Sequence, residues 1–322
     1  GSLRRDGDRD SVDGRCPRAL HCREDRPSAG GADGAEVQAR AAPTSVLWHV
    51  PQRTKVGRVP AHGRIAAAAF RQYSTYRMAT AAGIFTNTIF GFIRASIMFA
   101  AIGTAGGELG GYTMLQAATY VWLGQALLAP IEAFGTREVS QRVHQGDIAV
   151  DLLRPVDLLS LHYAQKLGRA AFLLLARGIP PLVVGALVTG LALPEHPLSY
   201  LLGALSLLLA ITVAFLADMM VNLAAFWLVE TRGLTVVYNA TMNLLSGFLI
   251  PIVWFPDWLL AIARATPFPS MIQTPIDTLS GRVPPAEAPG LIGVQIGWAA
   301  VLALAAWAML RAGTRSLEVQ GG

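Results

Sequence analysis

Six stretches of this 322-residue chain are apolar for long enough to cross a hydrocarbon core, at about 79–102, 113–135, 170–192, 199–229, 234–255 and 288–310. A crossing takes about 20 helical residues. Backbone N–H and C=O groups find no water in lipid, so a crossing segment must be a helix or part of a closed barrel. None of the six shows the short-range alternation of a barrel strand. The expected fold is therefore an all-α integral membrane protein with six transmembrane helices. The fourth stretch exceeds one crossing and is expected to tilt or to protrude into the cytoplasm. Composition agrees: 15% of residues are charged, against about 25% in soluble domains.

The basic residues set the orientation. The loop after the second stretch holds Arg137, Arg142, Arg154, Lys166 and Arg169, the loop after the fourth holds Arg232, and the tail holds Arg311 and Arg315. On the other side, loops 103–112 and 193–198 have no Lys or Arg, and 256–287 has only Arg264 and Arg282. Both termini are expected in the cytoplasm. Of the 26 Lys and Arg, 14 fall in residues 1–77, so a basic arm and cytoplasmic loops account for the net charge. The apolar remainder leaves no surface for nucleic acid.

Residues 1–60 have no hydrophobic periodicity and are rich in Gly, Arg, Asp and Pro. Such an arm buries too little apolar surface to offset its chain entropy, so it is expected to be disordered. It lacks the apolar core of a secretory signal, and the first methionine is Met78. Much of 1–58 is expected to be a tag or upstream sequence. Cys16 and Cys22 flank His21 in this arm, but a lone pair at that spacing does not make a zinc site, and no metal is expected. Residues 62–77 read as an amphipathic helix, with Ile65, Ala66, Ala69, Phe70, Tyr73 and Tyr76 on one arc and Arg64 and Arg71 opposite. It is expected to lie in the cytoplasmic interface, with Arg77 snorkelling at the membrane edge. The division expected is an arm at 1–60, this helix at 61–77, a six-helix domain at 78–312 and a cytoplasmic tail at 313–322.

The largest cytoplasmic loop contains "GDIAVDLLRPVDL" (146–158), three aspartates and an arginine in an otherwise apolar chain. Asp147 can cap a short helix in which Ile148 and Leu152 are neighbours one turn apart, with Leu153 alongside. Pro155 biases Arg154 away from helical geometry and stops the helix. An apolar helix here either docks on a soluble partner or folds back on its own bundle. In the first case Ile148 and Leu152 supply buried contact, and Asp151 and Arg154 set orientation at the rim.

Ionisable groups within a crossing are costly and mark function or interhelical pairing. Arg94 lies in the first stretch and Asp218 in the fourth, with Asn222 one turn beyond Asp218. Their depths differ by about 10 Å at 1.5 Å per residue, which disfavours a direct Arg94–Asp218 pair. Asn87 joins this set, as do Asn239 and Asn243, a polar pair one turn apart in the fifth stretch. These groups bond between helices, pair with a second subunit or contact cargo. Pro130 and the pair Pro180–Pro181 are expected to kink their helices.

The stretches "GIFTNTIFGFIRA" (83–95), "YVWLGQALLAP" (120–130), "GDIAVDLLRPVDL" (146–158), "VNLAAFWLVETRG" (221–233), "SGFLIPIVWFPDWL" (246–259), "ATPFPSMIQTPID" (265–277) and "VQGG" (319–322) resemble the ABC-2 type permeases, in particular the six-helix bacterial exporter subunits. The resemblance covers about 62–322 and has no counterpart in 1–58. It implies a transport subunit of the bacterial cytoplasmic membrane, partnered by two copies of an ABC ATPase and by a second permease or a copy of itself. It also implies a coupling helix at about Gly146 to Pro155 that enters the ATPase. The last extracellular loop, with Trp258, Pro267, Phe268 and Pro269, should form short re-entrant or interfacial helices. No cofactor is expected on this subunit, since ATP and Mg belong to the ATPase. The chain's two lysines, Lys55 and Lys166, do not follow a glycine, so the Gly-Lys-Ser/Thr of a phosphate-binding loop is missing.

An intramembrane enzyme fits poorly. Ser246-Gly247 lacks the preceding glycine of a membrane serine protease, no histidine lies at membrane depth, and an aspartyl protease needs an intramembrane partner for Asp218. A membrane scaffold, or a lipid-handling or glycolipid-handling protein without ATP-coupled drug transport, is the alternative. The apolar pathway suits amphiphilic drugs, lipids or lipid-linked products. Cysteines placed at Glu108, His196 and Gly281 should react with an impermeant thiol reagent added to whole cells, and one at Gln141 should not. Labelling at Gln141 in intact cells would reverse the orientation.

Overall fold

A computed structural model of the chain describes residues 61–131, 137–153 and 156–315. The arm at 1–60 with Cys16 and Cys22, Arg154 and Pro155, and the tail from 316 lie outside the described residues. The rest is mostly helical, opening with α1 (Ala61–Ser74), α2 (Arg77–Thr104), a small antiparallel hairpin of β1 (Glu108–Leu109) and β2 (Tyr112–Thr113), and α3 (Met114–Ile131). Two short helices follow, α4 (Glu138–Gln145) and α5 (Ile148–Leu152), then α6 (Leu158–Leu173), a π turn (Leu174–Gly178) and α7 (Ile179–Thr189). The chain continues through α8 (Pro197–Leu223), α9 (Arg232–Leu245), α10 (Asp257–Arg264), α11 (Gln273–Leu279) and α12 (Ala288–Arg315), with 3-10 turns at Ala224–Phe226, Ile252–Trp254 and Phe268–Ser270.

Among the described residues, four helical segments are long and apolar enough to cross a membrane: Arg77–Thr104, Leu158–Thr189, Pro197–Phe226 and Ala288–Arg315. The other two expected crossings look different. α3 has 18 residues and is largely enclosed, with Tyr120, Val121, Trp122 and Leu127 all buried. The stretch 234–255 is not one helix: α9 ends after 14 residues, and the chain then runs through a turn and an extended segment into the Ile252–Trp254 turn. Gly247 at φ +82° reverses the chain there, a conformation only glycine adopts without strain. Pro251 then lacks the N–H a continuing helix would need.

Small residues let the helices approach closely, and large apolar ones face outward, the pattern of packing in lipid. The Trp122 indole lies between Gly91 of α2 and Gly185 of α7, where a Cβ would come within 2.4 and 2.2 Å of the ring. Its Nε1 donates to Thr189 Oγ1 at 3.0 Å. Phe85, Ile97, Leu187, Leu201 and Leu304 are exposed on the outer surfaces. α12 and α11 pack along α8, and α3 packs against α2 and α7.

The expected amphipathic helix ends at Ser74, so Tyr76 falls outside it and is exposed. The rest of its apolar arc turns toward α6, with Phe70 meeting Phe172 edge-on at a centroid distance of 5.5 Å. Arg64 and Arg71 face outward. Gly168 makes the crossing possible, since a Cβ there would lie 2.0 Å from the Ala66 carbonyl oxygen. Gly281 has φ +69° and Pro194 against it, so exposed Glu287 is the better labelling position in that loop. Gly168→Ala should separate α1 from α6 and cost about 1–3 kcal/mol, the usual effect of overpacking. A lowered thermal unfolding midpoint in detergent, with new protease cleavage in 61–77, is the expected measurement.

Candidate functional site

Where the fifth stretch leaves the helix, its backbone groups need partners other than water. Side chains from three separate elements provide them. Arg94 of α2 donates through Nη2 to the carbonyl of Phe248 and, at 3.2 Å, to that of Leu249. Its guanidinium also lies over the Phe248 ring, 4.5 Å from the centroid. Tyr120 of α3 donates its hydroxyl to the Gly247 carbonyl. Gln273 of α11 acts at both ends of the break: its N–H donates to the Ser246 carbonyl at 3.0 Å, and its Oε1 accepts from Ile252 N–H at 3.2 Å. Arg94 is thus committed to backbone carbonyls.

The Gln273 side chain continues outward into a buried polar network. Its Nε2 donates to the Asp277 carboxylate at 2.9 and 3.0 Å and to the Tyr112 hydroxyl at 3.2 Å. Arg282 donates to the Tyr112 hydroxyl at 3.0 Å and to Asp277 at 3.4 Å, with its guanidinium 4.0 Å from the Tyr112 ring centroid. Burial pushes the Asp277 carboxyl above the usual carboxylate range, against the opposing bonds from Gln273, Arg282 and Tyr112. Burial, reinforced by the Asp277 charge, likewise raises the Tyr112 hydroxyl. The hairpin, α3, α11 and the loop before α12 are joined by this network.

The short helices of the last loop lie beside it. Trp258 on α10 is exposed. Pro267 precedes the Phe268–Ser270 turn, in which Phe268 and Pro269 are half-buried and Phe268 meets Tyr238 of α9 at 6.2 Å between centroids. Gln295 of α12 donates to the carbonyls of Ser206 and Ser270, at 3.1 and 2.9 Å, and holds the turn against α8.

On the opposite side, α4 and α5 form a bracket. Gly146, at φ +80°, ends α4 and turns the chain into α5. Contrary to the expectation from sequence, Asp147 does not cap α5; its side chain makes no cap bond and lies 4.0 Å from Arg142. The faces of α5 also differ from expectation. Ile148 is fully buried in this chain's own core, and Asp151 is buried and accepts from Arg142 Nε. Leu152 is exposed, along with Val150 and Leu153. The reason is the Arg142–Asp151 pair, which fixes the inner side of a five-residue helix, and Ile148 one turn earlier follows it inward.

The bracket is tied to several long helices. Asn222 of α8 accepts from Ser140 N–H at 3.1 Å, satisfying a first-turn donor of α4. Its Nδ2 donates to the Asp218 carbonyl at 2.9 Å. Arg169 of α6 donates to Glu138 at 3.1 Å and to Tyr73 of α1 at 2.8 Å, and Arg137 pairs with Glu230 at 3.3 Å. Between α1, α4, α6 and α8 is a polar cavity of about 610 Å³ that Asp218 helps to line.

A second cavity, of about 900 Å³, opens between α1, α2, α3, α6 and the broken segment. Asn87 lies on its wall and donates to the Gln125 carbonyl at 3.4 Å. Asn239 and Asn243 are apart from both cavities, on α9, where Asn243 donates to the Asn239 carbonyl at 2.7 Å. The polar groups expected from sequence therefore divide among a backbone clasp (Arg94), a bracket anchor (Asn222), two cavity walls (Asn87, Asp218) and one helix (Asn239, Asn243). Tyr112, Tyr120, Gln125, Arg177, Gln273, Asp277 and Arg282 were not anticipated. Arg177 had the same signal as Arg94, a charge inside an apolar stretch. The others are uncharged or lie in loops, and no spacing marks them.

A family model described as "ABC-2 family transporter protein" matches residues 73–321. No curated protein matches the chain, and no solved structure does.

Gln273→Leu removes the acceptor for Ile252 N–H and the donor to Asp277 in one change. Each buried group left without a partner costs about 1–3 kcal/mol. The full-length protein in detergent should lose several degrees of thermal stability, and Tyr120→Phe, which removes one donor, should lose less. Equal midpoints for Gln273→Leu and the parent would show that the clasp does not hold the fold.

Proposed function

This chain belongs to the ABC-2 family of transporter proteins, and we propose that it is the permease of an exporter driven by a separate ATPase. As a multi-pass membrane protein it provides the membrane component of an ABC transporter. On our reading it crosses six times with both termini in the cytoplasm of a bacterial cell. α3 is the second crossing, and α9 with the broken segment is the fifth. The cargo is an amphiphilic or xenobiotic small molecule. Two ATPase copies and a second permease, of the same or another sequence, complete the machine.

One observation carries the coupling part of this reading: the α4–α5 bracket is bonded to α6 and α8 while offering Val150, Leu152 and Leu153 outward. A push on α5 would reach the long helices through Asn222 and Arg169 instead of dissipating in a loop. Fully burying each of the outward side chains against an ATPase would contribute about 1.5–3 kcal/mol. Arg154 and Pro155 continue the same segment.

The inward and outward faces of α5 predict different failures. Val150→Asp with Leu153→Asp should leave the permease inserted and thermally unchanged but should abolish pull-down of its ATPase. Ile148→Asp should instead destabilise the permease by at least about 3 kcal/mol, since it puts a charge in a packed core. Full pull-down and full cargo-stimulated ATP hydrolysis by the outward double variant would overturn the docking assignment.

A further inference from the structure

The 900 Å³ cavity has a chemical bias that its apolar walls conceal. Among the described residues no acid lines it, and two arginines do, Arg94 and Arg177. Arg94 spends Nη2 on the clasp, but its Nε and Nη1 are buried without a partner. Arg177 makes no hydrogen bond or ion pair among the described residues, and its Nε is buried and unsatisfied. Both polar atoms of the Gln125 amide are in the same state. A cation in an apolar, membrane-depth setting normally finds a partner. Here three polar side chains lining one cavity keep unused bonding capacity.

The backbone presents Arg177 deliberately. Pro180 and Pro181 cannot donate to the carbonyls one turn earlier, and the helix widens into the π turn Leu174–Gly178, with Ile179 N–H bonded to the Leu174 carbonyl. Such single wide turns inside helices re-aim side chains and recur at functional sites. The guanidinium then lies across α2 at Gly83, where a Cβ would be 2.2 Å from Arg177 Nε. Only a residue without a side chain leaves that path open. From Gly83 to Arg94 is about 16 Å along α2, with Asn87 between them.

We infer that this cavity binds an anionic amphiphile: one acid group, carboxylate or phosphate, at Arg177 beside Gln125, with an apolar body along Phe172, Leu128, Phe90 and Ile93. Arg94, further along the wall, adds a second positive charge, with no acid among the described lining residues to offset it. A planar guanidinium suits the paired oxygens of either acid group, and the volume is that of a small-molecule site. The inference deepens the transport reading, and as a statement about cargo it rests on that reading. As a statement about binding it does not need the ATPase.

The test uses the full chain in phosphatidylcholine nanodiscs with dansyl undecanoic acid as fluorescent probe. Dodecyl phosphate should displace the probe, and dodecyltrimethylammonium at equal concentration should not. Arg177→Gln should weaken probe binding by more than about tenfold, while Arg177→Lys keeps part of it. Gly83→Ala, which pushes the guanidinium aside but keeps its charge, should also weaken binding, and it serves if Arg177→Gln does not insert. Unchanged affinity in these variants, or equal displacement by the cationic amphiphile, would overturn the inference. ATP-dependent movement of the probe in vesicles containing the ATPase would identify a cargo. Copurification of phosphatidylglycerol with the parent but not with Arg177→Gln would identify a bilayer lipid, and both results support the anion site. Failure of any ATPase to copurify would count against the transport reading alone, because the nanodisc measurement stands without it.

Discussion

The fold depends on one requirement: a backbone that leaves the helix inside an apolar bundle must be satisfied by protein. The carbonyls of Ser246, Gly247, Phe248 and Leu249 and the N–H of Ile252 are all answered, by Gln273, Tyr120 and Arg94. These residues come from α11, α3 and α2, Gln273 using its backbone N–H as well as its side chain, so the break in the fifth stretch pulls three elements to one point. Without them the unsatisfied groups would cost several kcal/mol in lipid. Once they are in place, the turn at Gly247 becomes a junction. α11 is seated against α8, and the outer network of Tyr112, Asp277 and Arg282 builds on the same glutamine.

The two ends of the bundle solve their polar problems differently. The end that holds α11 buries a network closed around Asp277, with a glutamine and an arginine supplying donors from within a few residues of it. The end that holds the bracket ties α1, α4, α6 and α8 together through contacts such as Ser140 N–H to Asn222 and Arg169 to both Glu138 and Tyr73. A closed network resists partial opening because losing one member strands the others. At the bracket end the Ser140–Asn222 bond is buried, while the exposed Glu138 carboxylate makes its pair with Arg169 the weaker contact.

Much of this was legible in the sequence for a physical reason. Length and apolarity are local properties, so the four long crossings could be read directly, as could the helix at Ala61–Ser74 from the arc of Ile65, Ala69 and Phe70. The broken fifth stretch could not. Gly247 and Pro251 hint at it, but hydropathy runs on through 255, and the groups that stabilise the break lie more than a hundred residues away in Tyr120 and Arg94. The faces of α5 were unreadable for another reason. Four of the five residues of α5 are apolar and lie all round the helix, so either face could turn inward, and Arg142, outside the quoted stretch, decides for Asp151 and Ile148. Asn222 was found by its depth, yet its partner Ser140 is a backbone N–H, which no residue pattern reveals.

Arg94 belongs to both the clasp and the large cavity, and that shared membership limits what its replacement can teach. One edge of the guanidinium holds the Phe248 and Leu249 carbonyls, and the other atoms, Nε and Nη1, have no partner. Removing it would take the donor from the Phe248 and Leu249 carbonyls and erase a cavity charge in the same step, so a lost activity would have two explanations. Arg177 is separable. It holds no backbone group, and its seat on Gly83 is a matter of space, not bonding. The cavity also touches the broken segment through Phe248 and Leu249 themselves. What occupies the cavity and how the fifth stretch is held are thus linked through one cation, across a junction that already joins three elements.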